Sequence, residues 1–172
     1  MNRVFFLASA TFALASVLAA DASAKPAAIT GLHSLEGTWV METAYEIHPD
    51  GSRTSNYTEH PLGLLSVDSA GRYNLQIFRP GRPAFASGDK TKGTADEYRQ
   101  AALGSSTHFG KLAVDVKKHQ LVFDIEGASF PNWEGKRQVR DYHFKDGRLS
   151  YAVPASASGN GTIAYSVWRR AR

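Results

Sequence analysis

Two kinds of chemistry are written into this 172-residue chain: proton transfer, for which His108, Tyr45 and Tyr142 are suited, and anion recognition, for which Arg79, Arg82 and Arg140 are suited. An imidazole beside a phenol in apolar surroundings can serve as base and acid once desolvation tunes the pair. An inward guanidinium needs a partner or an anionic ligand, because an unpaired buried charge is costly. Trp133 adds a flat apolar face that could stack on a ligand or simply pack. Each of these groups has a plainer alternative. His108 could be a satisfied core histidine, and the tyrosines could be core residues whose hydroxyls reach the rim. Other chemistries lack their residues. There is no Cys, and the six His show no pair at two- to four-residue spacing, so no metal is expected. A nucleophile elbow, a phosphate-cradling glycine loop and a dinucleotide fingerprint are all missing, which disfavours hydrolase, kinase and nicotinamide chemistry, and no cofactor is expected.

The elements that must position these groups read as an all-β meander. Turn signals separate runs that alternate with period two, at Thr38 to His48, Leu62 to Val67, Arg72 to Arg79, Thr107 to Val116, Gln120 to Glu126, Arg137 to Lys145, Arg148 to Val153 and Thr162 to Arg169. Eight such strands are the number at which an antiparallel barrel holds either packed side chains or one small ligand. Thr94 with Glu97 forms a capping box, so one short helix is expected between strands three and four. It follows a Pro- and Gly-rich loop from Pro80 to Gly93, long enough to cover a barrel mouth or cross its end. Stepping by two from Trp39 puts Met41, Thr43, Tyr45 and Ile47 inside. The same stepping turns His108, Gln138, Arg140, Tyr142 and Tyr151 to the lumen, then Ile163, Tyr165, Val167 and Arg169, with Trp168 outside. A one-residue slip would move Arg140 to the surface.

Residues 1–24 read as a secretory leader, with Arg3 in a positive start, an apolar run from Val4 to Ala20 and a small-residue cleavage site at Ala22-Ser23-Ala24. A membrane anchor is the rival reading. Cleavage would leave one domain over 25–172, periplasmic or extracellular, with no stable membrane insertion. The net charge of +4 is scattered rather than drawn into a basic stripe, so no nucleic-acid partner is expected. Asn56-Tyr57-Thr58 and Asn160-Gly161-Thr162 are glycosylation sequons that matter only in a glycosylating host.

Gly37-Thr38-Trp39 at the start of the first strand and Arg169 near the end of the last have the placement to close a barrel floor, the guanidinium stacking on the indole. Several further runs join that pair: Leu35 to Trp39, Pro49 to Arg53, Arg79 to Asp89, Gly93-Thr94 with Glu97-Tyr98-Arg99, and Glu126-Gly127 with Phe130 to Gly135. Together they resemble the lipocalin-like domain family of small, mostly microbial barrels, over nearly all of 25–172. The resemblance implies a barrel with a pocket more firmly than it implies an activity. Arg79 or Arg82 could pair with Asp89 to tie a lid to the barrel, or present a cation to a carboxylate or enolate. The leading expectation is a protein that binds a small hydrophobic, possibly anionic, molecule in its lumen. The alternatives are a cofactor-independent isomerase or cyclase using His108, and a structural barrel packed shut by aromatics.

Overall fold

The computed structural model describes residues 28–55, 61–154 and 161–172; the leader region 1–24 and the sequon residues Asn56 and Asn160 lie outside these. The strands are β1 (Gly37–Ile47), β2 (Arg53–Thr54), β3 (Leu62–Val67), β4 (Arg72–Phe78), β5 (Ser105–Asp115), β6 (Gln120–Ala128), β7 (Arg137–Lys145), β8 (Arg148–Val153) and β9 (Ile163–Arg170). Each pairs antiparallel with its neighbour in the order β1-β3-β4-β5-β6-β7-β8-β9, and β9 returns to β1. Eight strands therefore close an up-and-down barrel with no free edge. The remaining strand, β2, is a two-residue ribbon held by Glu46 and Ile47 at the end of β1. It forms because the turn at Pro49-Asp50-Gly51 folds the chain back along β1, with His48 N donating to Ser52 O at 2.9 Å. The extra strand corrects the helix position: α1 (Ala95–Leu103) follows β4, not the third strand.

Local signals act as their chemistry requires. Asp146 and Gly147 adopt φ of 52° and 72°, the positive pair of a type I′ turn that joins β7 to β8. The Thr94 hydroxyl accepts from Glu97 N, and Glu97 Oε2 accepts from Thr94 N. The expected lumenal phase holds on β4 to β8, where Tyr73, Leu75, His108, Leu112, Phe123, Gln138, Arg140, Tyr142, Leu149 and Tyr151 are buried.

The phase fails on β1 and β9, for one reason. Pairing between them slips between Met41 and Thr43, so after Trp39 and Met41 the next buried residue is Ala44. On β9 the buried residues are Ser166 and Trp168, with Trp168 facing Met41 and Leu149 across the ladders. Against expectation, Trp168 is inside and Arg169 outside, and Thr43, Ile163 and Val167 are only half-buried; Tyr45 and Tyr165, expected inside, are half-buried where they border the lumen. Burying an indole contributes more than burying any of the alternatives, and the bulge supplies the half-step that allows it.

The same half-step decides the floor. Arg170, not Arg169, lies over the Trp39 ring at 4.5 Å. Its guanidinium donates to Glu36 O at 2.5 Å and Ser34 O at 2.6 Å, and Trp39 Nε1 donates to Leu35 O at 2.8 Å. These carbonyls belong to a 3-10 turn, Leu32–Leu35, and its C-cap Glu36; fully buried Leu35 plugs the barrel beneath Trp39. Gly37 sits against this contact, a Cβ there lying 3.4 Å from Arg170 Nη1. Arg169 is exposed.

Candidate functional site

At the end of the barrel away from this floor lies a cavity of about 190 Å³. Its walls come from Leu75 and Ile77 on β4, Ser106 and His108 on β5, Arg140 on β7, Tyr151 and Val153 on β8, and Ala164 and Ser166 on β9. Ala44 and Glu46 complete it from β1, and Trp133 from a 3-10 turn, Pro131–Trp133, after β6. The walls are mostly apolar with a few placed polar groups, the usual make-up of a small-molecule site.

Arg140 organises the polar part. Its side chain is 2 % exposed, and its guanidinium lies 4.3 Å over the Phe123 ring and 5.4 Å from the Tyr151 ring centroid. Both of its hydrogen bonds leave from Nη2, to His108 Nε2 at 3.2 Å and to Gln138 Oε1 at 2.7 Å. Because a guanidinium only donates, Nε2 of His108 accepts, which puts the ring proton on Nδ1. Nδ1 then donates to the Tyr73 hydroxyl oxygen, 2.8 Å away. In this hydrogen-bonded group, Tyr73, His108 and Gln138 are neutral and only Arg140 is charged. Burial, helped by the adjacent Arg140 charge, pushes the His108 pKa down to about 2. Burial likewise raises the Tyr73 and Tyr151 pKa values and lowers that of Arg140. Among the described residues, Arg140 Nε and the Tyr151 hydroxyl have no hydrogen-bond partner. Among the described residues, neither hydrogen bond of Arg140 goes to a carboxylate.

Of the residues singled out from sequence, His108, Arg140, Trp133 and, at its edge, Tyr45 line this cavity. The Trp133 ring stands edge-to-face to His108, with centroids 5.7 Å apart and planes at 83°. Tyr45 borders the cavity, but the β1 bulge turns its side chain to the face opposite Ala44. Its ring stacks there on Tyr165 at 4.9 Å, with the Arg53 guanidinium above it. Tyr142 is buried but does not line the cavity; its ring neighbour is His119. Arg79 lies one residue past the end of β4, outside the cavity wall. Arg82 is exposed, lying over Phe78 at 4.6 Å and donating to Ser105 Oγ at 2.8 Å. Asp89 pairs with Lys92 rather than with either arginine. The loop carrying these residues packs on α1 through Phe85 against Tyr98, and Ala86 N donates to Glu97 Oε1. None of it lines the cavity.

Sequence reasoning missed Glu46, which it placed outside, and the part played by Tyr73. The bulge that brings Glu46 to the wall has no mark in the local residue types. Tyr73 was legible as inward, but its bond to His108 is a pairing across strands.

The sequence also stands among known proteins. A carrier protein of Aspergillus oryzae (strain ATCC 42149 / RIB 40), named for 4'-hydroxy-3'-methoxypropiophenone, is 27% identical over 105 residues, covering 56% of this chain and 95% of that protein. The lipocalin-like domain model matches residues 36–171, from the residue before Gly37 to the residue after Arg170. Both ends of that match fall on the contact that closes the floor, and with the closed eight-stranded barrel they make this chain a member of the lipocalin-like domain family.

Proposed function

We propose that this protein is a carrier that holds one small, ring-bearing hydrophobic molecule in the barrel lumen, its polar or anionic end turned to Arg140, without converting it. The observation that carries this reading is the cavity itself, apolar over most of its wall and furnished with a buried cation whose hydrogen bonds, among the described residues, go only to His108 and Gln138. Its volume of about 190 Å³ suits a single substituted ring, since a dry cavity of about 150 Å³ takes up benzene. The relative's name describes a molecule of that kind, one ring bearing a hydroxyl, a methoxyl and a short ketone chain. Isomerase or cyclase chemistry is disfavoured by His108, which is both hydrogen-bonded at each ring nitrogen and too weak a base at neutral pH. A barrel packed shut is disfavoured by the cavity. The leader-like residues 1–24 support delivery to the periplasm or the exterior.

Titration with 4'-hydroxypropiophenone tests the reading, with Trp133 on the cavity wall as the fluorescent reporter. Ala164→Phe, which fills the lumen, is expected to weaken binding at least tenfold, about 1.4 kcal/mol, with little change in Tm. Mass spectrometry should recover the ligand unchanged. Equal affinity in the filled variant would place binding elsewhere, and a new product would restore the enzyme reading.

A further inference from the structure

Resting on the carrier reading, we propose that the lumen selects a phenol and holds it as its single-oxygen anion, so that each ligand bound from neutral solution leaves one proton in the solvent. The geometry of Arg140 separates this from carboxylate binding. This protein shows how it holds carboxylates at two other places. Arg137 grips Asp124 through Nε at 2.6 Å and Nη2 at 3.0 Å, and Arg148 grips Glu42 through Nε at 2.6 Å and Nη2 at 2.9 Å. Both two-point edges of a guanidinium, side-on and end-on, include Nη2. In Arg140 that nitrogen has given both its hydrogens to His108 and Gln138. The lumenal cation is thus left with single donors and its charge, which fit one anionic oxygen better than two.

The surroundings favour the anion over the neutral phenol. Facing Arg140 are His108 from β5, Tyr73 from β4 and Tyr151 from β8, all uncharged at neutral pH, with Gln138 from its own strand and Phe123 from β6. Ser166 from β9 and Glu46 from β1 also stand on the cavity wall. A buried cation without a counter-charge stabilises an incoming anion strongly, because the low dielectric that penalises the lone charge also strengthens the pair. The Tyr151 hydroxyl, buried and unpartnered, is a second donor for the same oxygen. The ring of the ligand then lies against Leu75, Ile77, Val153 and Trp133.

The test uses the full chain with three probes: 4'-hydroxypropiophenone, its O-methyl ether and 4-propionylbenzoate. Phenolates absorb at longer wavelength than phenols, so the bound species reports its own ionisation. About two pH units below the free phenol's pKa, the bound probe is expected to show the phenolate band. That corresponds to at least about 100-fold tighter binding of the anion than of the neutral form. Calorimetry in buffers of different ionisation enthalpy should count one proton released per ligand. The ether and the benzoate should bind at least about tenfold more weakly than the phenol. Arg140→Met should abolish the phenolate band. A bound phenol with the neutral spectrum, an ether that binds equally well or a benzoate that binds more tightly each overturns this proposal and leaves the carrier reading standing. Failure of all three probes to bind overturns both.

Discussion

Arg140 stays protonated at neutral pH, so the adaptation to its charge falls on its neighbours. His108 is held neutral down to about pH 2, whereas in the unfolded chain it titrates near 6.5. Between those values the unfolded state binds a proton there that the native state refuses. Stability therefore falls as the pH drops below about 6.5, by up to ~1.4 kcal/mol per unit from this residue. Urea unfolding across that range should show His108→Gln with a shallower acid dependence than the unaltered protein by about this slope. Equal slopes would mean that His108 is not desolvated as described. That His108 and Arg140 both face inward was legible in the alternation of β5 and β7, since each strand shows one apolar and one polar face. Their bond to one another was not, because thirty-two positions of chain separate them and they meet only once β5 and β7 have both paired with β6 and the sheet has curved.

Single bulges decide what the strands present. In the β5–β6 ladder the register shifts between Phe109 and Gly110, and the backbones approach so closely that a Cβ on Gly110 would lie 2.0 Å from Asp124 O. Gly110→Ala is expected to lower stability by about 3 kcal/mol, as overpacking against immovable backbone does, read as a fall in Tm. In β1 the bulge after Met41 brings Ala44 into the core and Glu46 to the cavity wall beside Tyr45. The strand count, the Asp146-Gly147 turn and the Thr94 capping box were all readable, because each depends on residues close in sequence. A bulge is chosen by what stands on the neighbouring strand, here Trp168 opposite Met41, so β1 taken alone carries no sign of it.

Across the molecule the floor contact and the cavity draw on different residues. Arg170→Ala removes the stacking on Trp39 and two charged hydrogen bonds to carbonyls, a loss of about 2–3 kcal/mol. Arg169→Ala, at an exposed position, should stay within about 0.5 kcal/mol of the unaltered protein. Thermal unfolding separates the two, and neither change is expected to alter ligand affinity, because the cavity lies at the opposite end. A larger effect from Arg169 would overturn the register of β9.

By itself the sequence determined the fold class, the meander of eight long strands, the capped helix and the lumenal face of β4 to β8, since periodicity and turn chemistry are local. Only the tertiary structure decided which arginine seals the floor, that Tyr142 stays off the cavity wall while Glu46 joins it, and that Arg79 and Arg82 stand apart from the cavity. Those outcomes follow from closing β9 onto β1, where a half-step in register lets Trp168 into the core. A closure energy shared between the two ends of the chain is not expressed in either end alone.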